Sequence, residues 1–259
     1  MLAYKTNNLI LIMPIFQLAK DKIVFPSPMF ATKSGLLAIG GDLSEKRLLK
    51  AYSLGIFPWY SQGEPILWWS PNPRLVLIPE ELYVSRSLRQ FIKKGHFTVT
   101  MDTAFESVIR NCATAPRNTG GGTWITNDMI NAYVRLHHLG YAHSVESWQD
   151  GELVGGLYGV SLGACFFGES MFSIKSNGSK VAFTHFVQQA IKWNFMLIDC
   201  QVKTDYLLSF GAKEIHRSMF MQMLHLALSK HSRIGKWQFD ENFTINFNHL
   251  AHEASKECN

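Results

Sequence analysis

Apolar residues recur at two different spacings along this 259-residue chain, and the switch between them marks most of its secondary structure. From Ser179 to Asn194, apolar positions at Ala182, Phe183, Phe186, Val187, Ala190 and Ile191 form the i, i+4 stripe of a core-facing helix. FMLIDCQV (195–202) is almost continuously apolar, which suits a strand in the middle of a sheet. Ahead of that helix, AHSVESWQ (142–149), ELVGGLYGV (152–160) and ACFFGES (164–170) are joined by Asp150-Gly151 and Ser161-Leu-Gly163, so a three-strand antiparallel meander is expected.

The remaining elements follow from caps and stops. Ser44 opens a helix through Leu48, Leu49 and Tyr52 that stops at Gly55, and Ser85 opens a basic amphipathic helix to Lys94. HFTVTMD (96–102) reads as a strand, and Thr103-Ala-Phe-Glu106 as a capping box for a helix ending near Cys112. After the Gly-rich APRNTGGG (115–122), a helix runs from about Asn127 to Leu139 and stops at Gly140. Thr204 caps a short helix ending at Gly211, Ala212 to His216 returns as a strand, and Ser218 to Ser229 is a last helix. Leu9 to Phe16, broken by Pro14 and lacking a small-residue cleavage site, reads as an edge strand and not as a signal peptide.

Two composition shifts divide the chain into a loop- and aromatic-rich N-terminal domain (1–73), a larger domain (74–229) and an irregular tail (230–259). The order helix, helix, meander, helix, central strand, helix, strand resembles the acetyltransferase-like (GNAT) α/β fold, with a mixed sheet flanked by helices. The pyrophosphate loop of coenzyme A users is missing, since SMFSIKSNGSK stands where Arg/Gln-x-x-Gly-x-Gly/Ala is required. An acyl donor other than coenzyme A is expected.

With 47% hydrophobic and 17% charged residues and no apolar run of membrane-spanning length, the chain reads as a soluble globular protein. Its four cysteines are scattered, without a C-x-x-C pair or zinc-ligand spacing, so a reducing cytosol and no zinc site are expected. The excess of 25 Lys and Arg over 20 Asp and Glu is compatible with a polyanionic partner. Trp59, Tyr60, Trp68, Trp69 and Trp124, with Arg74, Arg86, Arg89, Lys93 and Lys94, have the chemistry of a nucleic-acid surface, in which rings stack on bases and cations meet phosphates.

In CFFGESMFS (165–173), the carboxylate of Glu169 sits in what looks like core. An unpaired buried carboxylate costs several kcal/mol, so a cationic partner is expected, either structural or part of a substrate. On FMLIDCQV, period-two alternation puts Asp199 and Gln201 on one face and Cys200 on the other. A Cys200 nucleophile with His185 or His143 as base is therefore disfavoured. Asp199, Gln201 and Glu169 could line one cleft, beside Phe166, Met171, Phe183, Phe186 and Ile198.

Taken together, WWSPNPR (68–74), GTWIT (122–126), ELVGGLYGV, GESMFS, LIDCQV and SFGA (209–212) closely resemble the leucyl/phenylalanyl-tRNA protein transferases, from about Phe25 to about Met223. The resemblance implies transfer of Leu or Phe, and Met less well, from aminoacyl-tRNA to the α-amino group of proteins that begin with Arg or Lys, marking them for N-end rule degradation. It implies a cytoplasmic enzyme, expected to be a monomer, that uses no coenzyme A and no metal. By motif it gives Asp199 and Gln201 the catalytic work and Glu169 the acceptor's basic side chain. Phe166, Met171, Phe183, Phe186 and Ile198 would line the aminoacyl pocket, with Trp59 and Trp124 near the tRNA 3′ adenosine. Leu157 stands where the family pattern has Met, and it could tune the donor pocket. A coenzyme A-dependent acetyltransferase and a non-catalytic RNA-binding module are the rivals. The first lacks its loop, and the second leaves Asp199 and Gln201 unexplained.

Overall fold

The computed structural model describes residues 15–115 and 124–247. The Gly-rich loop and most of the apolar run from Leu9 lie outside the described residues. A four-stranded sheet of order β1-β2-β4-β3 is built from β1 (Phe16–Leu18), β2 (Leu36–Gly40), β3 (Phe57–Pro58) and β4 (Leu67–Trp69). The helix α1 (Glu45–Ser53) buries Leu48 and Tyr52 as expected, with Arg47 and Ala51 beside them, while Leu49 is half-buried. Its first turn is closed by Asp42, whose carboxylate accepts the Ser44 N–H at 2.8 Å, while the Ser44 hydroxyl caps nothing.

A second sheet has seven strands in the order β11-β5-β10-β9-β8-β7-β6: β5 (Arg74–Leu77), β6 (Thr98–Met101), β7 (Ala142–Gln149), β8 (Glu152–Leu162), β9 (Cys165–Ser173), β10 (Leu197–Gln201) and β11 (Lys213–Ile215). The expected meander is β7-β8-β9. Its Asp150-Gly151 turn has positive φ at both residues, 53° and 79°, the conformation that a tight hairpin requires. From β9 the chain crosses through α5 (Gly178–Lys192) into β10, which pairs parallel to β9. This is the mixed, helix-flanked α/β plan of the GNAT-like fold. The N–H of Ser179 at the start of α5 is taken by the Ser173 hydroxyl at 2.8 Å.

The helices α2 (Arg86–Lys93), α3 (Phe105–Thr114), α4 (Asn127–His138), α6 (Asp205–Leu208) and α7 (Arg217–Leu228) complete the layers. Ser85, Thr126 and Thr204 cap α2, α4 and α6 through their hydroxyls. The capping box at Thr103 does not form. Its hydroxyl donates to Glu146 of β7 at 3.0 Å, and Glu106 pairs instead with Arg110 one turn on. The strand β5 was not expected, because Arg-Leu-Val-Leu follows a Pro-rich stretch and is buried at all four positions, which leaves no alternation to read.

Two cores flank the large sheet. One runs without a break from Leu37, Tyr52 and Trp68 of the N-terminal region to Phe167 and Phe220. The other, around Phe166, Phe183 and Phe186, takes in Trp237. The segment after Lys230, expected to say little, is therefore part of the core. Trp237 is buried, stacks on His143 at 3.6 Å, and donates its backbone N–H to Asp102 at 2.7 Å.

Candidate active site

Two irregularities in neighbouring strands build the site. In the β8–β9 ladder Tyr158 faces Ser170 and Gly159 faces Gly168, so Glu169 is the extra residue of a bulge. In the β10–β5 ladder Asp199 faces Val76 and Gln201 faces Leu75, which leaves Cys200 as the extra residue. Gln201 has φ 61°, a left-handed conformation that costs a non-glycine residue about 1 to 3 kcal/mol. The period of two is thus broken where the sequence reading relied on it. Asp199 and Gln201 meet through the backbone: Asp199 Oδ1 accepts the Gln201 N–H at 2.9 Å.

Glu169 meets no cation among the described residues. Its carboxyl group accepts from three neutral donors instead: Tyr52 Oη at 2.8 Å, Tyr133 Oη at 2.9 Å and Gln201 Nε2 at 2.6 Å. Burial raises its pKa from 4.5 to about 7. The three hydrogen bonds pull it down and the charge of Asp199 pushes it up. Tyr52 and Tyr133 are bonded to each other, and burial with the Glu169 charge holds both phenols well above their ordinary range.

Arg74 is not a surface cation. It is buried to 1% exposure, where no phosphate can reach it, and it grips Asp199 with Nε and a terminal nitrogen. Its guanidinium lies over the rings of Phe57 and Phe220, 4.8 and 4.5 Å from their centroids. Of the other basic candidates, Arg86, Lys93 and Lys94 are exposed, and half-buried Arg89 donates to the Val84 carbonyl at 2.7 Å.

A cavity of about 290 Å³ opens beside these groups. Leu157, Phe166, Met171, Phe183 and Ile198 form its apolar wall, and Glu169, Asp199 and Gln201 its polar one. Phe186, expected on the wall, is fully buried behind Phe166, with ring centroids 4.3 Å apart. Trp59 and Trp124 do not line the cavity. Trp59 is 40% exposed and packs on Trp69, and Trp124 is half-buried. Cys200 lines it, but burial pushes its thiol far above the ordinary range, the reverse of an activated nucleophile. Sequence reasoning missed Tyr52 and Tyr133 as polar members of the site. Tyr52 lies 117 positions from Glu169, and on α1 it reads only as part of a buried stripe.

Among the described residues, no group of three or more His, Cys, Asp or Glu side chains could hold a metal ion. No helix there is long and apolar enough to cross a membrane.

The family model for leucyl/phenylalanyl-tRNA protein transferase matches residues 76–225, and that for its N-terminal domain matches residues 41–72. A leucyl/phenylalanyl-tRNA–protein transferase of Desulfatibacillum aliphaticivorans is 55% identical over 228 residues, covering 88% of this chain and 97% of that protein. Its counterpart in Nitrosospira multiformis is 58% identical over 207 residues, covering 80% and 89%, and that in Myxococcus xanthus is 54% identical over 226 residues, covering 87% and 97%. Identity at this level over most of both chains, on a fold that joins an apolar cavity to a buried carboxyl and amide pair, places the protein in the leucyl/phenylalanyl-tRNA protein transferase family, enzymes that pass an amino acid from aminoacyl-tRNA to protein.

Proposed function

We propose that this enzyme transfers Leu or Phe, and Met less well, to the α-amino group of proteins beginning with Arg or Lys, in the cytoplasm, and so marks them for N-end rule degradation. One observation carries the reading: a cavity with an apolar body ends at a buried carboxyl group that no cation of the described chain neutralises. Leu157, Phe166, Met171, Phe183 and Ile198 receive the donor side chain, and Glu169 receives the acceptor's ammonium or guanidinium in a charge-assisted hydrogen bond.

The reaction is aminolysis of an ester. The acceptor's α-amino group has a pKa of about 7.7 to 8.0, so roughly a tenth is already free base near neutrality, and orientation dominates. Gln201 spends its NH₂ group on Glu169, which leaves its carbonyl oxygen to accept from the attacking amine. Asp199, with both oxygens held by Arg74 and one also by the Gln201 N–H, acts as a positioning residue rather than a mobile base. Trp59 and Trp124 flank the tRNA 3′ adenosine, and Arg86, Arg89, Lys93 and Lys94 meet its phosphates. One chain carries every group named, so a monomer suffices.

The test is transfer of labelled Leu or Phe from charged tRNA to peptides starting with Arg, Lys, Ala or acetylated Arg. Label on the Arg and Lys peptides alone is expected. Glu169→Gln should lower their use by about 1.5 to 3 kcal/mol, ten- to a hundredfold. Equal use of Arg peptides by that variant would remove Glu169 from acceptor recognition.

A further inference from the structure

Glu169 and its two tyrosines make more oxygen–oxygen contacts than two phenols can fill with hydrogens. Tyr52 Oη lies 2.8 Å from Oε1, Tyr133 Oη lies 2.9 Å from Oε2, and the phenols are bonded to each other. Each contact needs one hydrogen, and each neutral phenol carries one. With Glu169 ionised, both phenolic hydrogens point at the carboxylate and two phenol oxygens face each other with none between them. With Glu169 as the acid, the count closes: Glu169 donates to Tyr133, Tyr133 to Tyr52, and Tyr52 back to Glu169. Gln201 Nε2 donates to Oε1 in either state.

We propose that Tyr52, Tyr133 and Glu169 form a closed hydrogen-bonded ring that holds one exchangeable proton in the unliganded enzyme, and that the acceptor's cationic head group binds by expelling it. This rests on the reading of Glu169 given under the proposed function. No covalent bond is made or broken. The proton leaves to solvent as the cation arrives, and the charge within the site balances.

The surroundings bear this out from each packed element. Tyr52 faces Glu169 from α1 and Tyr133 from α4. Tyr158 of β8 packs edge-on against Tyr133. Asp199 and Gln201 face it from β10, and Arg74 of β5 is committed to Asp199. The carboxyl pKa of about 7 agrees with a proton that is held below neutrality, half-released at pH 7, and removable. The ring also supplies selectivity. A neutral first side chain leaves the ring protonated and gains no charge-assisted bond, whereas a cation gains one by displacing the proton.

Infrared difference spectra of the unliganded full-length protein, wild type against Glu169→Gln, read the ring directly. A protonated-carboxyl carbonyl band at about pH 6 that is gone at about pH 8 is expected. An Arg-starting peptide added at pH 6 should abolish the band, and its affinity should weaken about fivefold from pH 7 to pH 6 as the ionised fraction falls. No such band at pH 6, or one that persists with peptide bound, overturns the proposal even if Glu169→Gln still impairs Arg-peptide transfer. A band present while the variant uses Arg peptides as well as wild type would overturn the reading of Glu169 instead, and with it the expulsion step.

Discussion

Arg74 clamps Asp199 from one side, with Nε on Oδ1 at 2.7 Å and a terminal nitrogen on Oδ2 at 2.5 Å, across 125 positions of sequence. The pair is buried on both sides, so each member is costly without the other. Arg74→Leu or Asp199→Leu alone should lose about 3 to 5 kcal/mol in urea unfolding, and the double replacement should recover most of it. Turnover should stay low in all three, because Gln201 loses either its anchor Asp199 or the Arg74 clamp that fixes that anchor. Recovery of turnover with stability in the double variant would make the pair purely structural.

Glu169 gives stability an unusual pH dependence. Its folded pKa of about 7 lies above the ordinary value of 4.5, so between those values the folded state keeps a proton that the unfolded chain has released. Its contribution is present below 4.5 and is lost as pH rises through about 7, a change of roughly 3 kcal/mol. His143 works the other way. Burial pushes its pKa down from 6.5, so its protonation costs stability as pH falls. The difference between wild type and Glu169→Gln in urea midpoints isolates Glu169, and it should narrow steadily with rising pH. A pH-independent difference would refute the raised pKa.

Trp237 lies behind the apolar wall of the cavity, 6.1 Å from Phe166 and 6.3 Å from Phe186 between ring centroids. Trp237→Ala should cost about 3 to 5 kcal/mol of stability and loosen Phe166, which lines the cavity. At a temperature where the variant is folded, KM for Leu- and Phe-tRNA should rise while KM for an Arg peptide holds. Equal changes in both would show a general loss of folding instead.

On the exposed face of α2, Arg86, Lys93 and Lys94 should contribute salt-sensitive tRNA affinity. Each replacement by Gln should lower the slope of log affinity against log salt by about one if that cation meets a phosphate. Filter binding of charged tRNA across a salt series measures it, and unchanged slopes would mark α2 as an ordinary solvated face.

Most elements were legible because their signals are local. The i, i+4 stripe before Asn194, the Asp150-Gly151 turn and the capping hydroxyls of Ser85, Thr126 and Thr204 all act within a few residues. The wall residues Leu157, Phe166, Met171, Phe183 and Ile198 were legible too, since they sit on successive strands and the helix between them. Phe186 was misplaced because a helical stripe says which face is buried but not which ring lies in front. Arg74 was misassigned because a lone arginine beside tryptophans reads the same from sequence whether it is exposed or clamped.

Local periodicity, caps and turns sufficed for the helices and the meander, and the ordered motifs for the family. The polar pairing waited for the folded chain. Arg74 reaches Asp199, and Tyr52 and Tyr133 reach Glu169, only once β5, β9, β10, α1 and α4 are packed together. Whether a buried carboxyl group meets a guanidinium or a phenol depends on which side chains lose water together. That is a property of distant segments brought into contact, and no spacing along the chain encodes it.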